Sequence, residues 1–168
     1  MPSGMKRCRL YRNQSGFSLA ELLIIVAVIG IVSVLATPAF ISYSQAARLK
    51  GGAQELATIL NQARQVAITR NTTTCVQREV SANASIRDRV YFLVGGCAGT
   101  VWTGPGTDAG GRFTLTEDVR VSAAPVANVV FTHLGTATTG GTYTVRNSTT
   151  NRTMSVIVAL SGRITLGP

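Results

Sequence analysis

Glu21 is the single charged side chain in the apolar run from Phe17 to Pro38, FSLAELLIIVAVIGIVSVLATP. A carboxylate at the edge of a membrane-length hydrophobic segment is costly unless it is paired, so its chemistry calls for a cation. The chain itself can supply one. Hydrolysis between Gly16 and Phe17 would free an α-amino group one helical turn from Glu21, or beside the Glu21 of a neighbouring copy. Upstream, Lys6, Arg7, Arg9 and Arg12 stand without an acidic residue, and such a basic flank holds a segment on the cytoplasmic face and sends residues after about Phe40 outward. A secretory signal peptide competes with this reading, with Ala36 to Ala39 as its small-residue cleavage site, but it leaves Glu21 and the Gly-Phe junction unexplained.

Other reactive groups are few. The three cysteines reduce to Cys75 and Cys97 if Cys8 leaves with the leader. In an oxidising compartment such a pair in a small domain reads as a disulfide, worth about 3 kcal/mol for a loop of roughly 20 residues. With His133 as the lone histidine, no two-plus-two ligand spacing exists, so no metal site and no cofactor are expected. Glu79, Asp88, Asp108, Glu117 and Asp118 show no spacing suited to acid-base catalysis, and the glycines at 104–111 do not form a phosphate loop. An enzyme is therefore not expected.

The elements that must position these groups are legible in outline. After the apolar run, Leu49, Ala53, Leu56, Leu60, Ala63 and Ala67 recur at helical spacing, predicting one long helix from Phe17 to about Arg70 with a buried outer face. Gly30 and Pro38 are its expected points of bending, since proline removes an intrahelical hydrogen bond. Strands are predicted from about Thr72, and at 89–94, 112–116, 119–122, 128–132, 142–146, 154–159 and 163–166, with Gly140-Gly141 and Ser161-Gly162 as hairpin signals. The stretch from Gly95 to Gly111 reads as a long connection. Trp102 within it is either an exposed contact or a cover for the edge of the core. The expected organisation is a leader at 1–16, a transmembrane half-helix at 17–40, its continuation at 41–70 and a β-rich domain at 71–168. Formal net charge is +9, and the loss of four leader cations leaves +5 on the remainder, a moderate hint of an acidic partner.

The motif Gly16-Phe17-Ser18-Leu19-Ala20-Glu21-Leu22-Leu23, with its basic leader, apolar run and Pro38, resembles the class III signal of type IV pilins and type II secretion pseudopilins. The passage LNQARQVAITRNTTTCVQ further resembles the GspH/FimT branch, in which an A-R-x-x-A-x-x-R helix end precedes a strand with a cysteine. The resemblance implies a pilin-like α+β fold: a long N-terminal transmembrane and amphipathic helix packed on an antiparallel β domain. It also implies cleavage after Gly16 by a prepilin peptidase, N-methylation of Phe17, and a role for Glu21 in docking subunits. Pro38 would lend the helix plasticity during packing. The partners so implied are other pilins or pseudopilins, the peptidase, an inner-membrane assembly platform and the bacterial inner membrane, spanned once with the C-terminal domain in the periplasm.

Two functions follow from the resemblance. One is a minor subunit of a type II secretion pseudopilus or type IV pilus, acting in filament assembly and protein secretion. The other is a DNA-binding minor pilin for natural transformation, since DNA-binding members of the branch are associated with a G-R-x-R motif. Here Gly162-Arg163-Ile164-Thr165 keeps one of its two arginines. A single Arg offers one phosphate contact, and useful non-specific affinity requires several cations acting together. Arg146, Arg152 and Arg163 would have to converge on one face, so DNA is not the favoured partner. Arg64 and Arg70 are assigned the plainer role of complementing the helix dipole.

Overall fold

The computed structural model describes residues 16–79, 88–116 and 118–167. Lys6, Arg7, Cys8, Arg9, Arg12 and Glu117 lie outside the described residues. The chain divides after Phe40 into two compact units, and one helix, α1 (Leu19–Thr69), contributes to both.

In the first unit, the Ser18 carbonyl accepts the Glu21 and Leu22 amides at 3.1 Å, so Ser18 occupies the N-cap position. Ser18 and Glu21 have the S-x-x-E spacing of a capping box, and Glu21 lies in the first turn, where a carboxylate complements the helix dipole. Apolar side chains point outward all round this part of the helix, Leu22, Ile24, Val28 and Leu35 among them. A helix that is hydrophobic on every side requires an apolar surround, and this one is long and apolar enough to cross a membrane. It runs through Pro38 without interruption.

In the second unit, α1 ends in a Schellman motif. Asn71 takes a left-handed φ of 48°, the Asn71 amide donates to the Ile68 carbonyl, and the Thr72 amide donates to the Ala67 carbonyl at 3.0 Å. The buried stripe is Leu49, Gly52, Ala53, Leu56, Ile59, Leu60, Ala63 and Ala67. Its small members let strands approach closely.

Among the described residues ten strands follow: β1 (Thr74–Glu79), β2 (Arg89–Val94), β3 (Thr100–Val101), β4 (Phe113–Thr114), β5 (Val119–Ala123), β6 (Val129–Phe131), β7 (Ala137–Thr139), β8 (Gly141–Asn147), β9 (Thr153–Val158) and β10 (Ile164–Gly167). All pairings are antiparallel. One sheet runs β3-β2-β1-β6-β7 with β4 also on β2, and the other runs β10-β9-β8-β5. Val76, Phe92, Phe131, Tyr143, Val145 and Val156 from the two sheets share a core with the helix stripe. Burial pushes the Tyr143 phenol well above its usual range, against a weaker opposing hydrogen bond with the Val129 backbone.

Three expectations change. Gly140-Gly141 is not a hairpin: β7 pairs with β6 while β8 pairs with β5 and β9, so the chain passes there from one sheet to the other. The 95–111 connection contains β3, a two-residue pairing too short to show alternation. Arg64 does more than face the helix dipole, since its Nε donates to the Gly135 carbonyl at 2.7 Å and ties α1 to the turn between β6 and β7. Ser161-Gly162 does form a turn, with Gly162 at a φ of 80° and its amide on the Ala159 carbonyl.

Candidate assembly and interaction surfaces

Gly16 and Phe17 precede the first helical residue and are exposed, Phe17 at 73%. A Cβ on Gly16 would meet nothing within 4 Å. A backbone outside regular structure and without side-chain cover can enter a protease cleft as an extended strand. Four residues on, Glu21 lies exposed on the helix. An amine created at Phe17 would therefore lie close to a helical carboxylate in a segment that otherwise offers no polar side-chain partner of opposite charge. Pro38 is exposed within α1; lacking an N–H, it leaves the Val34 carbonyl without its usual intrahelical donor.

In the β domain, Cys75 on β1 and Cys97, in the turn after β2, are bonded, with Cα atoms 4.9 Å apart. His133 is exposed in the turn between β6 and β7, where the Gly135 amide donates to Thr132. Trp102 is buried, its ring stacked on Phe92 at 4.8 Å and on Phe113 at 6.0 Å. It belongs to the core.

The candidate arginines do not converge. Arg146 on β8 pairs in register with Thr153 at the start of β9, and Arg152 directly precedes that residue. Arg163 precedes Ile164, which pairs with Val158 at the far end of β9. Five residues of strand separate the two ends, roughly 17 Å. Arg163 is exposed near the turn that Arg64 holds, whereas Arg146 donates to Asn151 at 2.6 Å.

The neighbour that sequence reasoning missed is Arg120, directly opposite Arg146 across the β5–β8 pairing. A signal existed. Arg120 sits between buried Val119 and Val121, and Arg146 between buried Val145 and Asn147, so alternation sends both outward on one face.

Two family models match the chain. The prokaryotic N-terminal methylation motif covers residues 11–37, and the type II transport protein GspH model covers residues 52–162. The chain belongs to the GspH family. Solved structures similar to this GspH-family chain include the type IV minor pilin FimU of Pseudomonas aeruginosa, at 18% identity and a TM-score of 0.52, covering 75% of this chain and 92% of that one. The minor pseudopilin EpsH from the type 2 secretion system of Vibrio cholerae is similar at 18% identity and a TM-score of 0.50, covering 71% and 95%. No curated protein matches the chain. These likenesses agree with the pilin-like fold, a long apolar N-terminal helix with antiparallel sheets packed on the later part of that helix. Members of the GspH family are structural filament components rather than enzymes, built to assemble with other pilins, and the apolar helix accords with anchoring in the inner membrane.

Proposed function

We propose that this GspH-family subunit is a processed minor pseudopilin or pilin, acting in filament assembly and, through it, protein secretion. A prepilin peptidase cuts between Gly16 and Phe17, removes residues 1–16 and leaves Phe17 as the methylated N-terminus. Residues 17–40 cross the inner membrane once, residues 41–70 continue the helix, and the domain at 71–168 lies in the periplasm. The assembly platform then extracts the subunit into a filament.

The observation that carries this reading is Glu21, exposed in the first turn of α1, in a stretch otherwise without charge as far as Pro38 and four residues from the Gly16-Phe17 junction. Pairing with the α-amino group of an adjacent subunit's Phe17 would neutralise both charges within an apolar filament core. Pro38 gives the helix a point at which it can unwind as subunits pack.

The capping-box spacing offers Glu21 a second, purely local role, and the test separates the two. Glu21→Gln keeps a side chain able to cap the helix but removes the charge, whereas Glu21→Val removes both. Both variants are expected to be cleaved normally, with N-methylated Phe17 visible by mass spectrometry. Both should fall roughly tenfold in sheared-filament fractions, the equivalent of about 1.4 kcal/mol. Wild-type incorporation of Glu21→Gln would reduce Glu21 to a helix cap and overturn its pairing role.

A further inference from the structure

Two hairpin turns in the second unit are built alike. Between β6 and β7, the Gly135 amide donates to the Thr132 carbonyl and the Thr132 amide to the Thr136 carbonyl. Between β9 and β10, the Gly162 amide donates to the Ala159 carbonyl and the Ala159 amide to the Arg163 carbonyl. Gly135 and Gly162 take left-handed φ values of 78° and 80°, as in hairpins that close with a type I turn followed by a glycine bulge. The central positions are His133-Leu134 in one turn and Leu160-Ser161 in the other. Turns favour short polar residues that bond to nearby backbone, yet each of these carries a leucine, 75% exposed at Leu134 and 64% at Leu160. Turn chemistry accounts for neither.

The two tips are held together. The Ala137 amide donates to the Leu160 carbonyl at 2.9 Å, and a Cβ on Gly162 would overlap the Gly135 carbonyl, so the turns press backbone to backbone. Arg64 locks this contact from α1: its Nε bonds the Gly135 carbonyl and stands 3.1 Å from where a Cβ on Gly162 would lie. One helical turn further on, Ile68 is 46% exposed, with its Cδ1 2.9 Å from the position of a Cβ on Gly135. Ile68, Leu134 and Leu160 thus share one corner of the domain. Exposed aliphatic side chains that cluster mark contact surfaces, and a patch already fixed by its backbone loses little freedom on binding.

Residues 64–70, 132–136 and 159–163, which make the corner, contain three arginines and no aspartate or glutamate. Arg163 is exposed beside Gly162. Arg64, half-buried, spends its Nε on a neutral carbonyl, so the guanidinium keeps its charge and its other donors for a carboxylate.

We infer that this corner, Ile68, Leu134 and Leu160 beside Arg64 and Arg163, docks an apolar, carboxylate-bearing segment of a different pilin-type subunit. This rests on the filament-subunit reading. A second copy meeting it corner to corner would bring arginine against arginine, which is repulsive. Nucleic-acid contacts are mostly to phosphate and sugar and give three aliphatic side chains no role. An anionic lipid surface calls for a cluster of about four to eight Lys or Arg, more than these segments hold.

The test places a photo-crosslinking amino acid at Ser161, exposed at the centre of the second turn, in the full-length chain in its own cells, with a second probe at Val28 in the apolar helix. The expected result is an adduct from Ser161 to another pilin-type subunit, mapped by mass spectrometry to a segment with Asp or Glu. Yield should fall about tenfold in Leu134→Ser/Leu160→Ser and in Arg163→Glu, and be largely kept in Arg163→Lys. Exposed turn positions tolerate such changes, and protein level with an intact Cys75–Cys97 bond reports folding. Leu134→Asn/Leu160→Asn replaces the serine pair should that variant not accumulate. Adducts only to a second copy, to lipid or to nuclease-sensitive material would overturn the inference, as would yield indifferent to the leucine changes or to the reversal of Arg163. Silence from Ser161 while Val28 captures pilin subunits overturns it too and leaves the filament reading intact. Silence from both positions would remove both.

Discussion

Gly52 on α1 lies directly beneath Val119 at the start of β5: a Cβ added to Gly52 would stand 2.5 Å from Val119 Cγ1 and 3.0 Å from its Cβ. The preceding residue is the opposite case, since a Cβ on Gly51 would meet nothing within 4 Å. Two adjacent glycines in one helix therefore have different reasons to be there. Gly52 permits contact between helix and sheet, whereas Gly51 carries only the conformational cost of glycine.

Gly52→Ala is accordingly expected to destabilise residues 41–168 by roughly 1–3 kcal/mol through overpacking. Gly51→Ala should stabilise the same unit by about 0.5–1 kcal/mol. Urea unfolding of the two variants beside the parent checks both signs, and a stabilising Gly52→Ala would contradict the close approach described here.

Trp102 is predicted to be a stability residue. Its ring is stacked on Phe92 and Phe113, and Gly104 backs onto it so closely that a Cβ there would run into Trp102 Cζ2 and Cη2. Trp102→Ala should cost roughly 3–5 kcal/mol, as large-to-small changes at buried aromatics do. Because the ring anchors the 95–111 connection, amide exchange in that connection should rise with it. A loss below about 1 kcal/mol in urea unfolding would return Trp102 to the role of a surface contact.

How far the sequence could be read depended on the range of the interaction. The helix was legible because Leu49, Ala53, Leu56 and Leu60 repeat at its own period, and most strands were legible because valines and aromatics alternate. Ala137–Thr139 was not, since three threonines and an alanine between Gly135 and Gly140 carry no alternation; that strand exists because β6 supplies its hydrogen-bond partners. The division into two sheets was invisible for the same reason. At the processing end, Gly16, Phe17 and Glu21 are neighbours in the chain and could be read directly. On the sheet, Arg120 and Arg146 are brought together only by register, and register also parts Arg163 from Arg146.

The Cys75–Cys97 bond closes a loop spanning 22 residues, which contains β2 and residues outside the described part of the chain. On the chain-entropy model its removal costs about 3 kcal/mol. Cys75→Ser/Cys97→Ser should therefore shift the urea midpoint downward, with most of the loss reproduced by reducing the parent protein. If reduction leaves the midpoint unchanged, the bond contributes no stability.

Asp108 supplies a pH prediction. Its Oδ1 accepts the Gly110 amide at 2.8 Å and the Arg112 amide at 2.9 Å, with Arg89 at 3.8 Å. The Arg112 amide, chief among these, holds the carboxyl below its ordinary value of 3.8, against a smaller opposing effect of burial. A carboxyl whose pKa is lower folded than unfolded favours the folded loop at pH values above the unfolded value, and that contribution is lost as pH falls through the folded one. The 104–111 loop should thus keep its structure at pH 5 and loosen only below about pH 4. In an NMR titration the Gly110 and Arg112 amides should move together with a midpoint below 3.8, and Asp108→Asn should abolish the transition while retaining an acceptor. A midpoint at or above the ordinary value would mean that the two amides do not grip this carboxylate in solution.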